Sequence, residues 1–152
     1  MNKSYKIIII CEDFVLSSLL KKLFTFWIED ASVQFYTSFS EVKSINPGED
    51  VDCIVLDDII TGSASHEIVH ILRQKKKIKC PVYYLSNAEY GEEKKALYQG
   101  VSYFFKKPFN LQELMRHIIG NTKDNLKSRR PNDTGQNKSI EQERNDFVRV
   151  ER

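Results

Sequence analysis

Five short apolar runs rich in β-formers alternate with five stretches of helical periodicity, and that alternation leaves few folds open. The runs fall at residues 6–11, 33–36, 51–56, 82–85 and 103–105. Strands separated by a helix's length of chain pair in parallel, with the intervening helices covering the sheet. The runs IIII (residues 7–10) and CIVL (residues 53–56) are continuous, as central strands buried on both faces require. These patterns predict an α/β fold, a five-stranded parallel sheet with helices on both sides. Ligands in such sheets bind outside the carboxyl ends of the strands.

The first helix reads as one apolar stripe of Val15, Leu16, Leu19, Leu20, Leu23, Phe24, Trp27 and Ile28. Ser17, Ser18, Lys21 and Lys22 form its opposite face. Further helices are expected over residues 38–45, 64–75 and 92–99. Asn110, with Glu113 three residues on, opens the last one as a capping box, and Gly120 is expected to close it. The longest apolar run, residues 7–11, is far short of the roughly 20 residues of a membrane span. No secretion leader opens the chain, so a cytoplasmic protein without membrane attachment is expected.

Charge separates the chain into two parts. Residues 1–120 carry 15 Lys/Arg against 15 Asp/Glu, so the net charge of +2 resides in residues 121–152. A neutral domain gives no support for direct nucleic-acid binding by residues 1–120. Residues 121–145 are nearly devoid of apolar side chains and read as a linker or disordered tail. Phe147-Val148-Arg149-Val150 then alternates as the opening strand of a further effector domain would. Cys11, Cys53 and Cys80 lack metal-site spacing and lie in or beside apolar runs, as buried reduced thiols do.

The chemistry gathers at the strands' carboxyl ends. The first strand runs into Glu12-Asp13, the third into Asp57-Asp58, the fourth into Ser86-Asn87 and the fifth into Lys106-Lys107-Pro108. Converging carboxylates repel each other unless a cation or proton relieves them. Hard oxygen donors with room for water suit Mg²⁺, and a metal beside an Asp, opposite Lys and Ser donors, makes a phosphoryl-transfer site.

These residues, with their spacing, resemble the receiver domain of two-component response regulators. The resemblance covers residues 5 to about 120 and is carried by IIIICED, DCIVLDDIITG, PVYYLSNA and GVSYFFKKPF. It implies a doubly wound, flavodoxin-like (βα)5 fold with residues 1–120 as the domain. It implies Asp57 as phosphoacceptor from a sensor histidine kinase or phosphotransfer protein. It also implies Mg²⁺ held by Glu12, Asp13, Asp57 and the Ile59 backbone carbonyl. Lys107 would pair with a phosphoryl oxygen, Ser86 would hydrogen-bond another, and Phe104 would turn inward as Ser86 moves. Self-dephosphorylation would be the only catalysis. A downstream effector domain or protein, or a homodimer, would receive the signal, with Tyr98, Lys106 and Arg116 as surface contacts.

Some positions depart from the family's pattern. Thr61 stands where a proline is usual, and Ser63-Ala64-Ser65 replaces Met-Asp-Gly, so a more mobile loop is expected. Asn87 replaces a small residue, and Ile59 and Ala88 make the hydrolysis-tuning positions apolar. Asp58 reads as an outward-facing acid.

Other readings compete. A receiver-shaped module that binds partners without being phosphorylated would lose an acid, the acceptor or the lysine, and this chain keeps them all. A haloacid-dehalogenase-like phosphatase needs a second Asp where Ile59 stands. HEIVH (residues 66–70) matches the zinc-peptidase pattern HExxH, with Glu67 as base. The buried face of that helix, set by Ala64, Ile68, Ile71 and Leu72, points His66 and His70 toward solvent. His117 reads as a surface or boundary residue.

Overall fold

A run such as YKIIII has too many consecutive apolar and branched residues for a surface helix, and it forms an inner strand. The computed structural model describes residues 4–62, 65–87 and 92–128, side chains at 65, 66, 92 and 122–128 excepted. In chain order the elements are β1 (Tyr5–Ile10), α1 (Phe14–Trp27), β2 (Ala31–Tyr36), α2 (Phe39–Lys43) and β3 (Cys53–Asp57). There follow α3 (Ser65–His70) continuing into a π turn (Ile71–Lys75), β4 (Val82–Ser86), α4 (Glu92–Gln99), β5 (Tyr103–Lys106) and α5 (Leu111–Ser128). The chain divides into two compact units, Met1–Lys107 with the whole sheet and Pro108–Arg152 with α5.

The sheet is parallel throughout, in the order β2-β1-β3-β4-β5. The chain steps outward from β1 to β2, crosses back to β3 and continues to β5. Right-handed crossovers therefore put α1 on one face and α2, α3 and α4 on the other. Strand alternation serves both faces. Ile8, Ile10, Ile54, Leu56 and Val82 cluster with Val42, Ile68, Leu72 and Ala96 of the helices. Ile7, Ile9, Val55, Leu85 and Phe105 point the other way and are equally buried. Each such side chain stabilises the fold by about 1.5–3 kcal/mol relative to exposure.

Helix α1 departs from the expected stripe. Ser17, assigned to the polar face, is buried, whereas Val15, Leu19 and Trp27 are exposed. Ser17, Leu20, Phe24 and Ile28 subtend about 80° at helical spacing, and that narrow arc faces inward. Apolar residues occur all round this helix, so periodicity alone could not choose the arc. The Ser17 hydroxyl has a partner in the Cys11 thiol.

Asn110 caps α5 as expected, its Oδ1 accepting from the N–H groups of Gln112 (2.9 Å) and Glu113 (3.3 Å). Gly120 does not end the helix, which continues in helical backbone to Ser128. His117 is buried, not on the surface, and its Nδ1 lies 3.5 Å from the Asn121 amide one turn on. Residues 129–152, with the FVRV segment, lie outside the described residues, as do residues 63–64 and Ala88.

The π turn is closed by the Lys76 N–H donating to the Ile71 carbonyl at 2.9 Å. From it Arg73 reaches three carbonyls: Gly100 (3.0 Å from Nε), Ile78 (2.8 Å) and Cys80 (2.7 Å). Gly100 has φ +114°, and a Cβ there would lie 3.0 Å from Arg73 Cγ. The helix before this turn buries Ile68 and exposes Glu67 and His70, and the turn itself buries Ile71 and Leu72. The side chain of His66 lies outside the described residues. The thiols are suppressed: burial pushes Cys11 up to about 11, Cys80 up to about 12 and Cys53 well above the usual range. Among the described residues no helix is long and apolar enough to cross a membrane.

Candidate functional site

Strand register decides what meets at the sheet edge. Ile10 is level with Leu56, Asp57 with Leu85, and Ser86 with Lys106. The residues just past these strand ends therefore share one edge of the sheet, where the strand order reverses between β1 and β3.

Asp57 ends β3 and is only 3% exposed. The Lys107 ammonium lies 2.5 Å from its Oδ1 as an ion pair, yet off hydrogen-bonding alignment. Among the described residues Oδ1 is thus a buried acceptor without a hydrogen bond. Desolvation raises the Asp57 pKa above the ordinary carboxylate range, and Lys107 offsets only part of that. The Cys11 thiol lies 3.7 Å from Oδ2.

Asp58 corrects the expectation of an outward-facing acid. Its Oδ1 accepts from Lys107 Nζ at 2.7 Å and its Oδ2 from the Asn87 N–H at 2.9 Å. Burial works against its charge, but hydrogen bonds from Lys107, Asn87 and Ser86 prevail and hold its pKa low. Burial likewise opposes the Lys107 charge, and the two carboxylates outweigh it, so the ammonium is held more tightly protonated. The only sequence signal for this arrangement was two consecutive acids facing one lysine.

Glu12 and Asp13 border the same edge, with their carboxylates turned to backbone donors. Asp13 caps α1, its Oδ1 accepting from the N–H groups of Val15 (2.9 Å) and Leu16 (3.2 Å). Glu12 accepts from the Thr61 N–H, and hydrogen bonds from the Thr61 side chain and then its backbone lower the Glu12 pKa. A proline at position 61 would have no N–H to give. The departure from the family's pattern thus supplies a tether to the loop after the acceptor. Among the described residues no three His, Cys, Asp or Glu side chains are gathered as a metal cluster.

Ser86 is buried, and its carbonyl accepts from the Lys107 N–H at 2.8 Å. Phe104 is already turned inward, packed edge-on against Tyr84 with ring centroids 5.7 Å apart. The Ile59 side chain is exposed, as are Tyr98, Lys106 and Arg116.

Comparison with known proteins bears on this arrangement. The model of the response regulator receiver domain family matches residues 7–119. Among solved structures, the Francisella response regulator 1452 receiver domain is 24% identical, with a TM-score of 0.68 over 80% of this chain and 99% of that one. A CheY-like receiver domain protein from Methanospirillum hungatei JF-1 gives a TM-score of 0.70 at 16% identity, over 83% of this chain and 99% of that one. The receiver domain of a Pseudomonas aeruginosa PAO1 sensor histidine kinase gives 0.62 at 18% identity, over 78% and 99%; it holds a magnesium ion in its active-site cleft. At these identities the likeness establishes the fold. No curated protein matches by sequence. On a flavodoxin-like sheet of this topology, a family match over residues 7–119 places the chain in the response regulator receiver domain family.

Proposed function

We propose that this receiver domain is a phosphorylation switch that takes a phosphoryl group on Asp57 from a phosphohistidine of a sensor histidine kinase or phosphotransfer protein in the cytoplasm. The observation that carries this reading is the Asp57 carboxylate. It is buried at a strand end, and one oxygen has a cation beside it but no hydrogen bond. In the transfer an Asp57 oxygen forms a bond to phosphorus. The phosphorus–nitrogen bond of the donor breaks, and its electron pair leaves on the imidazole, which takes a proton. Lys107 balances the charge arriving on the phosphoryl oxygens, and the Ser86 hydroxyl is a donor one strand away. Water attacking phosphorus later returns the Asp57 carboxylate and inorganic phosphate.

The donor set suits Mg²⁺, being all hard oxygen. Glu12, Asp13, Asp57 and the Ile59 carbonyl would hold it, with Glu12 and Asp13 giving up the N–H groups they now accept from. When bound, the ion supplies Lewis-acid neutralisation of phosphoryl charge. Phosphorylation adds about −1.5 to −2 charge at one point, which biases a two-state element at Ser86. Residues 121–152 would link this switch to an effector partner.

Incubation with acetyl phosphate and Mg²⁺ tests the reading by mass spectrometry. A gain of one phosphoryl group that vanishes with EDTA and in Asp57→Asn is expected. No labelling, with beryllofluoride also failing to bind, would leave a receiver-shaped interaction module. The Glu12–Thr61 tether gives a second prediction. Thr61→Pro removes both the hydroxyl and the N–H donor, so the Glu12 pKa should rise and Mg²⁺ should bind more tightly by calorimetry. Unchanged Mg²⁺ affinity would show that the tether does not compete with the ion.

A further inference from the structure

Asp58 holds the groups that the reaction needs. Lys107 is shared between the two acids, hydrogen-bonded to Asp58 at 2.7 Å and ion-paired with Asp57 at 2.5 Å. The Asn87 N–H donates to the other Asp58 oxygen at 2.9 Å, and the Ser86 side chain is a further partner of the same carboxylate. One side chain therefore grips both the β5 end and the first residue of the β4–α4 connection. With the side chains of Lys107 and Asp58 only 19% and 15% exposed, water screens this grip weakly.

We propose that Asp58 is a latch that restrains Lys107 and the Ser86–Asn87 segment in the unphosphorylated state and so sets how readily the switch turns on. This inference rests on the phosphoacceptor reading of Asp57. A phosphoryl group on Asp57 competes with Asp58 for the single ammonium and for the Ser86 hydroxyl. Ser86 and Asn87 are adjacent, so moving the hydroxyl toward Asp57 loads the bond between Asn87 and Asp58. Asp58 is a positioning residue: it acts through Lys107 and Ser86, and it raises the free energy of the phosphorylated form relative to the resting one.

The test uses Asp58→Asn and Asp58→Ala in the full chain. Asparagine keeps an acceptor for the Asn87 N–H and loses the charge that holds Lys107; alanine loses both. Beryllofluoride with Mg²⁺ serves as the phosphoryl mimic. Its affinity should rise about tenfold in Asp58→Ala, the equivalent of about 1.4 kcal/mol, and by less in Asp58→Asn. In metal-free protein, hydrogen exchange at the Asn87 amide, read by NMR, should be faster in Asp58→Ala than in wild type and intermediate in Asp58→Asn. Faster exchange without a gain in affinity overturns the latch, as does unchanged exchange. Should the wild type itself fail to bind beryllofluoride, the phosphoacceptor reading falls, and Asn87 exchange alone decides whether Asp58 restrains the segment.

Discussion

Replacing Arg73 by leucine is expected to cost the domain about 3 kcal/mol and to lower its melting temperature by roughly 10 °C. The guanidinium serves the carbonyls of Gly100, Ile78 and Cys80 at 2.7–3.0 Å. Leucine keeps part of the apolar packing and supplies no donor. Each stranded acceptor costs about 1–3 kcal/mol when buried, and partial access of water to Gly100 and Cys80 keeps the total near the lower bound. Burial already pulls the Arg73 pKa below its ordinary value, so this cation is held for its fork of donors. Lysine, a point donor, should recover only a fraction of the loss. Thermal unfolding of Arg73→Leu and Arg73→Lys checks both statements. Equal stability of wild type and Arg73→Leu would mean that water satisfies all three carbonyls.

Asp57→Asn should abolish phosphoryl labelling and, in the metal-free protein, raise the melting temperature at neutral pH by a few degrees. The folded Asp57 carboxyl has a raised pKa because it is desolvated. Between its unfolded and folded pKa values the folded state binds more protons than the unfolded one. Stability therefore falls as pH rises through that window, and the full penalty is present above the folded pKa. Asparagine has no such titration, so its advantage should shrink as the pH is lowered toward the unfolded carboxyl pKa. Melting temperatures of both proteins in EDTA, from acid to neutral pH, measure this. An advantage independent of pH would contradict burial of a charged carboxylate as its source.

The sheet was legible because residues 7–10 and 53–56 are apolar without interruption, and each run is flanked by chain of helical length. The sheet-edge placement of Glu12, Asp57, Ser86 and Lys107 followed from counting to the strand ends. Orientation at that edge did not follow. Asp13 turns its carboxylate to the first turn of α1, since a carboxylate ahead of a helix serves equally as a cap or a ligand. Asp58 was misplaced because period-two alternation no longer applies once the strand ends at Asp57. The π turn has no residue signature, and Gly120 reads as a stop only if the helix lacks further buried positions; Asn121 is one. In α1, exposed Phe14, Val15, Leu19, Phe26 and Trp27 hid the inward arc among apolar neighbours.

One lysine shared between two carboxylates has an electrostatic consequence at longer range. Among the described residues Glu12, Asp13, Asp57 and Asp58 place four negative charges at this sheet edge, against the positive charges of Lys107 and of the exposed Lys106 beside it. The field that remains draws in cations and repels an anionic phosphodonor over about 8 Å at physiological ionic strength. A small free anion must cross that barrier unaided. A protein donor can offset it with basic residues around its own phosphohistidine, so the surplus of acid favours docked partners over stray metabolites.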